Sequence, residues 1–582
     1  MIKKIASRVR EYKRDSLLTP FFMVLEIIME VLIPYLMAKI IDNGIEKSNM
    51  DYILKIGMIL LAAALASLTL GALSGIFAAK ASAGLAKNLR HDMYHNIQNY
   101  SFSNIDKFST ASLVTRLTTD VTNVQNAYQM LIRQAVRGPV MLVFCLFISF
   151  SINSTISLIF LATIPILGGG LFFIIFRVHP IFVRVFKTYD KLNNVVQEDL
   201  RGIRVVKSYV REEHEEEKFQ VISEDIFRNF SKAEKRIAFN APLMQLCMNG
   251  GIILAAWIGA HLIVLDKTLT TGQMMSILTY SMLTLMSLNM LSMVFIMILI
   301  ARASAERIIE VLDETPDITD RENPVYDVKD GSVKFKDVNF SYAKNKDKLC
   351  LSGINLEIRS GETIGIIGGT GSSKTSLIQL IPRLYDVTEG AVIVGGADVR
   401  NYDIETLRNQ VAVVLQKNVL FSGTIKENLR WGNENAADEE LIHACKLAQA
   451  DEFINTFPDG YDTYIEQGGT NVSGGQKQRL CIARALLKKP KILILDDSTS
   501  AVDTKTDSLI RKAFREEIPE TTKFIIAQRI ASVQDADRII VMDGGRIDAV
   551  GTHDELLNSN RIYGEVYNSQ IKGGGDFDEE KG

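Results

Sequence analysis

Glycine and hydroxyl residues around Lys374 have the spacing of a phosphate-binding loop. The run from Gly368 to Thr375 reads Gly-Gly-Thr-Gly-Ser-Ser-Lys-Thr and follows an apolar stretch, Thr363 to Ile367, that we expect to form a strand. Backbone N–H groups of such a loop cradle phosphates, while its lysine neutralises charge and its last hydroxyl residue holds Mg²⁺. The motif therefore predicts a nucleoside triphosphate site. The residues that we assign to nucleotide binding are Gly368, Gly371, Ser372, Ser373, Lys374, Thr375 and Ser376.

Asp496 and Asp497 follow a second apolar stretch, Ile492 to Leu495, that we expect to form a buried strand. Carboxylate oxygens suit Mg²⁺, so Asp496 is predicted to hold the metal ion together with Thr375. Asp497 stands where a hydrolytic site needs a base, and Gln528 stands where it needs a sensor of the γ-phosphate. The identity of these last two residues bears on function more than any other feature of the chain.

A glycine-containing tetrapeptide precedes a helix that we predict over Lys477 to Leu487. Its glycines and the helix N-terminus offer backbone N–H groups to another phosphate. A glycine turn is the simpler interpretation, but it does not account for the order in which the loop, the tetrapeptide and the acidic strand occur. The tetrapeptide consists of Ser473, Gly474, Gly475 and Gln476.

The composition indicates a membrane protein with several domains. The chain has 582 residues, too many for one core, and 47% of them are hydrophobic. Its mean hydropathy is +0.11. The net charge of -3 gives no sign of nucleic-acid binding, and the five scattered cysteines are typical of free thiols in a reducing compartment. The polar, basic N-terminus predicts that no cleavable signal is present.

Long apolar stretches, all of them free of charged residues except the first, predict six membrane-spanning helices. An even number places both termini on one side, and the basic N-terminus and the charged connections at about 80–133 and 177–236 make that side the cytoplasm. We therefore expect a multi-pass protein of the cell membrane. Turning points near Ser103–Thr110 and Ser208–Glu213 are placed to reach a cytoplasmic domain. The predicted spans are about 17–41, 56–79, two helices within 138–176 divided at 149–157, 237–265 and 268–301.

Two features of the spans predict a substrate cavity. Glu26 and Glu30 lie one turn apart in the first span, and carboxylates at this depth usually face protein or water. They either line a cavity that favours cationic or polar substrates, or lie hydrated near the headgroups. Methionines three or four positions apart form one face of the last span, which suits varied ligands or ordinary helix packing. They are Met282, Met286, Met290, Met293 and Met297.

The chain beyond the spans changes character. Short β-like and helical runs alternate from about Gly331, which is an α/β pattern. The predicted fold class is thus membrane α, with six long transmembrane helices, plus a cytoplasmic α/β P-loop ATPase domain. The glycine-rich, acidic C-terminus is expected to be disordered. The predicted domains are residues 1–312 in the membrane, a linker at 313–330, an ATPase domain at 331–570 and a tail at 571–582.

These motifs together resemble the ATPase domain of ABC transporters, and the chain as far as about residue 570 resembles an ABC exporter half-transporter. The resemblance implies ATP and Mg²⁺ as ligands. It implies that Tyr342 stacks on adenine and that Gln416 contacts Mg²⁺ and relays to the membrane helices. It makes Ser473–Gln476 the signature that closes over the partner's ATP. Asp503, in the loop Ser500–Asp503, then crosses the dimer interface, and Ser208–Glu213 becomes the second coupling helix.

The chain departs from the family pattern at four positions. The catalytic Glu is Asp497, whose carboxylate falls about 1.5 Å short of the same water, and such a displacement can cost about 100-fold in rate. The switch His is Gln528, which can form hydrogen bonds but cannot carry a positive charge. The last glycine of the phosphate loop is Ser373, and the Glu before the signature is Gln467.

ATP sites in this family form between two chains, each supplying its signature to the other's phosphate loop. The resemblance therefore implies one degenerate site on this chain and a heterodimer with a second ABC half-transporter, similar to heterodimeric bacterial multidrug exporters. The expected substrate is an amphiphilic small molecule, a drug or a lipid. The alternatives are a homodimeric lipid or peptide exporter, a siderophore-type importer, and a nucleotide-gated regulatory subunit that does not pump.

Overall fold

The computed structural model describes residues 1–497 and 501–574. The chain divides into two units. The helical unit comprises Met1–Gln98 and Ser109–Glu314, and the α/β unit comprises Asn99–Phe108 and Thr315–Gly582. Ser500 of the predicted interface loop and residues 575–582 of the predicted tail lie outside the described residues, so these two expectations stay predictions.

Long helices make up the helical unit. Side chains cap two of them where the chain turns: Asn153 accepts from the backbone N–H of Ile156, and Thr270 and Gln273 form a reciprocal capping box. The turn predicted within 149–157 is therefore confined to Asn153. In chain order the helices up to Asp313 are α1 (Ile2–Ser7), α2 (Lys13–Ile40), α3 (Met50–Gln98), α4 (Phe102–Lys107), α5 (Thr110–Thr115), α6 (Val121–Ile152), α7 (Ser154–Ser208), α8 (Glu212–Ile237), α9 (Asn240–Val264) and α10 (Thr271–Asp313).

Five helical stretches among the described residues are long and apolar enough to cross a membrane. The sequence predicts six spans, and the helix of the sixth, α10, is present without being among those five. The five stretches are Arg10–Ile45, Met50–Gln98, Thr110–Ile152, Ser154–Ser208 and Glu212–Val264.

The helical unit has a buried seam between α2, α6 and α10. Met23, Ile27 and Val31 recur every four positions and so share one face of α2. They pack against Met141 of α6 and Tyr280 of α10. The buried hydroxyl of Tyr280 donates to the backbone oxygen of Val31 at 2.7 Å, which satisfies a polar group that lipid could not.

Sheets form the frame of the α/β unit. One sheet has the order β2-β1-β4-β5, a larger one has β12-β11-β3-β10-β9-β6, and β7 pairs with β8. The strands are β1 (Val333–Phe340), β2 (Leu351–Ile358), β3 (Thr363–Gly368), β4 (Glu389–Val394), β5 (Ala397–Asp398), β6 (Val411–Val414), β7 (Gly423–Thr424), β8 (Tyr464–Ile465), β9 (Ile492–Asp496), β10 (Thr522–Ile526), β11 (Arg538–Asp543) and β12 (Arg546–Gly551).

Helices cover the larger sheet, and β9 and β10 are buried along their whole length. This explains why their sequences are continuous apolar runs rather than alternating ones. The remaining helices are α11 (Lys374–Gln379), α12 (Ile404–Gln410), α13 (Ile425–Arg430), α14 (Asp438–Leu447), α15 (Asp451–Ile454), α16 (Gly474–Leu487), α17 (Thr504–Glu517), α18 (His553–Ser559) and α19 (Arg561–Gly574). The last of these extends into the segment that the sequence assigns to the tail.

Candidate nucleotide and transport site

Four adjacent parallel strands bring the predicted ATPase residues together. Strands β3, β10, β9 and β6 are neighbours that run in the same direction, so their carboxyl ends meet at one edge of the sheet. The phosphate loop leaves β3, Gln528 follows β10, Asp496 ends β9, and Gln416 follows β6. Residues far apart in the chain therefore reach one place because of strand order.

Lys374 closes the phosphate loop on itself. Its ammonium group donates to the backbone oxygens of Gly368 and Gly369, both at 2.9 Å, and to the hydroxyl of Ser372 at 3.3 Å. Burial lowers the pKa of Lys374, although the nearby charge of Asp496 opposes the shift. The half-buried ammonium group is held by neutral dipoles, and phosphate oxygens are stronger acceptors for it.

Ser373 adopts a backbone conformation that usually requires glycine. Its φ is 66°, in the left-handed region, at the residue directly before α11. A side chain costs roughly 1–2 kcal/mol in this conformation. The family resemblance predicts glycine here, so the loop of this chain carries strain within its predicted phosphate-binding segment.

Thr375 and Asp496 form the predicted magnesium pair. The Thr375 hydroxyl lies 2.9 and 3.1 Å from the two carboxylate oxygens of Asp496, which is 3% exposed. Burial raises the pKa of Asp496, and the charge of Asp497 adds to the shift. A half-buried hydroxyl and a buried carboxylate supply hard oxygen ligands, so these residues fit Mg²⁺.

Asp497 lies between two side-chain amides. Its Oδ2 accepts a hydrogen bond from Nε2 of Gln528 at 2.8 Å and a long one from Nε2 of Gln416 at 3.5 Å. Asp497 is 9% exposed and has a φ of 49°. The structure therefore places the side-chain amides of Gln416 and Gln528 against the carboxylate of Asp497.

The signature residues build the start of α16. Ser473 and Gln476 form a reciprocal capping box there, each side chain accepting from the other's backbone N–H. A Cβ on Gly475 would lie 2.8 Å from the backbone oxygen of Ala501, so only glycine fits against the interface loop. In the same loop, Asp503 caps α17 by accepting from the backbone N–H of Thr506 at 2.9 Å.

Tyr342 is held at its hydroxyl. The hydroxyl shares a hydrogen bond of 2.9 Å with Ser376 and donates to Gln379 at 3.2 Å. Its ring packs edge-on against Tyr385, with the ring centres 5.0 Å apart. The side chain is 45% exposed, which is consistent with an aromatic surface that can stack on a base.

Sequence reasoning missed the residues that join Asn99–Phe108 to the α/β unit. The carboxylate of Asp317 accepts from the hydroxyls of Ser101 and Ser103, and Tyr385 donates to Asp106 at 2.6 Å. These contacts span hundreds of positions, and no local pattern marks them. The segment contains α4 and overlaps the first predicted turning point, Ser103–Thr110.

Gln570 of α19 was also missed. Its side-chain amide donates to the backbone oxygen of Gln528 at 2.7 Å and accepts from the backbone N–H of Ile530 at 2.9 Å. A helix near the C-terminus thus holds the backbone on both sides of Arg529, directly after the switch position. The only signal in the sequence is an amide residue in an otherwise ordinary amphipathic helix.

Arg137 of α6 binds both glutamates of the first span. Its guanidinium donates to Glu26 at 2.7 Å and to Glu30 at 2.5 Å. Gly71 of α3 leaves room for the Glu26 carboxylate, because a Cβ there would lie 3.0 Å from the Glu26 carboxyl carbon. The two carboxylates therefore share a cation instead of facing apolar surroundings alone.

The methionine face of α10 is only partly packed. Met282, Met286 and Met293 are 46%, 57% and 64% exposed, and Met290 and Met297 are partly buried. The described side chains thus include large apolar groups that other parts of the helical unit do not cover. Such a face is available to a ligand, to lipid or to another chain.

A P-loop ATPase unit following a set of long apolar helices defines the class of an ATP-driven membrane transporter. The family model for the ABC transporter transmembrane region matches residues 17–288, and the ABC transporter model matches residues 351–500. The chain belongs to the ABC transporter family. It is an ATP-hydrolysing, multi-pass protein of the plasma membrane that uses ATP with Mg²⁺.

Known relatives cover nearly the whole chain. It is 36% identical to the uncharacterized ABC transporter ATP-binding protein YfiB of Bacillus subtilis, over 98% of this chain and 99% of that protein. It is 32% identical to the ATP-dependent lipid A-core flippase of Desulfotalea psychrophila, over 98% of this chain and 99% of that protein. A bacterial Atm1-family ABC exporter solved with ATP bound has a TM-score of 0.80 at 24% identity, over 96% of this chain and 98% of that one, which shows the exporter fold.

Proposed function

We propose that this chain is the degenerate-site subunit of a heterodimeric ABC exporter that moves amphiphilic molecules out of the cell. Its own phosphate loop binds ATP and hydrolyses it slowly. Its signature, Ser473–Gln476, completes a competent site on a second half-transporter. Closure of the two ATPase units opens the membrane cavity outward, and hydrolysis at the competent site resets it.

The contact between Gln528 and Asp497 is the observation that carries this proposal. A base must orient and deprotonate water, but this short carboxylate already accepts a 2.8 Å bond from an amide. The amide at the switch position supplies no positive charge to the developing phosphoryl group. Both effects slow hydrolysis and leave ATP binding in place.

The remaining residues support nucleotide binding. Lys374 can exchange backbone oxygens for phosphate, and Tyr342 offers an exposed ring. Bound Mg²⁺ would be held by Thr375, Asp496 and Gln416, and it would neutralise charge on the phosphates. The ordered signature cap is the feature that a regulatory subunit without a catalytic partner would not need.

Two observations favour an amphiphilic substrate. The exposed methionines of α10 provide a flexible apolar surface. The relative from Desulfotalea psychrophila is named as a lipid A-core flippase, which supports a lipid as one of the candidates. Glu26 and Glu30 remain residues of the proposed cavity region, with their charge shared by Arg137.

Steady-state ATPase activity tests the proposal. The chain alone and the chain co-purified with a candidate partner half-transporter are compared in the same lipid nanodiscs. We expect the chain alone to be nearly inert and the pair to turn over. If the chain alone hydrolyses ATP as fast as the pair does, Asp497 and Gln528 are competent and a homodimer replaces the heterodimer.

A further inference from the structure

A cavity of about 380 Å³ lies between α6 and α10 in the helical unit. Its lining differs from a purely apolar drug pocket, because four of its six side chains are polar or cationic. Among the lining residues that the structure describes, none is acidic. They are Asn126, Gln129, Met130, Arg133, Gln134 and Met297.

Arg133 is the charged group of this cavity. Among the described residues its guanidinium forms no hydrogen bond and no ion pair, and its Nε is buried without a partner. Glu26 and Glu30 do not supply a partner, since both bind Arg137 one turn further along α6. A cavity-lining guanidinium without a partner gains from a ligand that accepts hydrogen bonds from its N–H groups.

The depth of the cavity indicates what such a ligand looks like. Arg133 precedes the charge-free stretch that begins at Gly138, so the polar wall lies at the cytoplasmic end of a membrane span. Met297 lines the cavity, and Met293 lies one turn away along α10, toward the middle of the membrane, with 64% of its surface exposed. A polar head site therefore continues into an apolar surface.

We propose that this cavity binds an anionic amphiphile, with its phosphate or carboxylate head on Arg133 and its apolar chain along Met297 and Met293. A planar guanidinium recognises such oxyanions through paired N–H groups. The side-chain amides of Asn126 and Gln129 supply further donors. The inference rests on the proposed exporter function and names its substrate class, which is opposite in charge to the class expected from Glu26 and Glu30 alone.

Binding of matched fluorescent lipids to the purified full-length chain, without ATP, tests the inference. The probes share their chains and differ in the head: phosphatidic acid, phosphatidylcholine and cationic ethylphosphatidylcholine. We expect the anionic probe to bind most tightly and Arg133→Gln to weaken it about tenfold, equivalent to about 1.4 kcal/mol. Arg204→Gln, which removes an exposed arginine of α7, is the matched control and should change nothing.

A second variant guards against a folding defect in the first. Gln129→Glu adds a carboxylate to the cavity lining and should also weaken the anionic probe, while binding of the cationic probe improves. Dodecyl phosphate should compete with the anionic probe, and inorganic phosphate at the same concentration should not. Equal competition by inorganic phosphate would leave an anion site with no role for the apolar chain and would overturn the proposal.

The proposal also fails if wild type does not prefer the anionic probe, or if neither Arg133→Gln nor Gln129→Glu weakens it. These outcomes are separate from failure of the proposed function. Lipid binding is measured without nucleotide, whereas the heterodimer is judged from ATPase activity of the chain alone and of the pair.

Discussion

The side-chain amide of Gln528 donates a 2.8 Å hydrogen bond to Oδ2 of Asp497. The two residues come from the ends of neighbouring parallel strands, β10 and β9. Each is a modest change from the residue that the family resemblance predicts. Together they place an uncharged amide donor on the shortened carboxylate. Reversal of one substitution alone should therefore recover less activity than reversal of both.

Reversal of the pair is the first prediction. Asp497→Glu should raise ATPase activity of the chain alone, because the longer side chain recovers about 1.5 Å of reach toward water. Adding Gln528→His should bring the gain to roughly 100-fold, since the hydrogen bond from the Gln528 amide is then also removed. The measurement is steady-state phosphate release. Asp543→Glu and Gln534→His make the same chemical changes at exposed positions of the unit and should be neutral.

If the double variant is no faster than wild type, the low activity has another origin than these two residues. If either control matches the gain, the effect is not local to the site. In both cases the degenerate-site interpretation fails.

Strain in the phosphate loop gives a second prediction. Ser373→Gly removes a side chain from a left-handed residue, relieving roughly 1–2 kcal/mol where the loop must accept phosphate. We expect ATP to bind several-fold more tightly in a titration with a fluorescent ATP analogue. Lys489→Gly is the control, since it relieves the backbone strain of another left-handed residue, with a φ of 48°, in the turn after α16. An unchanged Kd for Ser373→Gly, or an equal gain in the control, contradicts the prediction.

The contact of α19 with residues 528–530 gives a third prediction. Gln570→Ala removes hydrogen bonds to both Gln528 and Ile530, so amide exchange at residues 528–530 should become about tenfold faster, which corresponds to about 1.4 kcal/mol. Ser569→Ala is the control, because its hydroxyl donates to Val566 within the same helix. Equal amide exchange at residues 528–530 in the two variants would show that Gln570 of α19 does not hold this segment. Hydrogen exchange by mass spectrometry is the measurement.

A fourth prediction concerns Asp317. Its carboxylate is partly buried, which opposes ionisation, but hydrogen bonds from Lys344, Ser101 and Ser103 outweigh burial and lower its pKa to about 2. The folded pKa is below the ordinary value, so the contact is fully present above about pH 4 and weakens as pH falls toward 2. Asp317→Asn should therefore speed amide exchange across Asn99–Phe108 at neutral pH.

Asp330→Asn is the matched control for this change, because the Asp330 carboxylate accepts from its neighbour Ser332. It should leave exchange in Asn99–Phe108 unaltered. Wild-type exchange in the segment, corrected for its intrinsic pH dependence, should not change between pH 7 and pH 5. A loss of protection over that range would contradict the ionised pairing of Asp317.

The fifth prediction tests the intramembrane charge cluster. Arg137→Gln leaves two carboxylates without their cation and should destabilise the protein by about 3–5 kcal/mol. Removing all three charges, with Glu26→Gln and Glu30→Gln added, should be milder, since no charge is then left unpaired. Thermal unfolding in detergent ranks the stabilities of these variants. Arg228→Gln breaks an exposed pair with Glu224 on α8 and should cost close to nothing.

Local motifs explain why much of the ATPase site could be predicted from sequence. Lys374, Asp496 and Gln528 each follow or end an apolar run, and parallel strands gather such positions at one edge. The turn between α6 and α7 was predictable because a polar stretch, 149–157, interrupts the apolar run there. Short-range patterns carry this information.

Long-range partners were beyond that reasoning. Arg137 looked like the boundary of a charge-free stretch, and only its place beside α2 makes it the cation of Glu26 and Glu30. Gln570 and Tyr385 likewise acquire their roles from contacts across the fold. Hydrogen bonds between distant elements depend on the packing of those elements, which periodicity does not specify.

The segment Asn99–Phe108 also constrains how the protein is made. It belongs to the α/β unit, but most of that unit begins at Thr315, so a ribosome releases the segment long before its partners exist. The Tyr385 hydroxyl must find a carboxylate 279 positions upstream. A recombinant fragment that starts at Thr315 would lack a piece of its own fold and expose Asp317 to solvent. Refolding yields of that fragment should improve when a synthetic peptide spanning residues 99–108 is supplied.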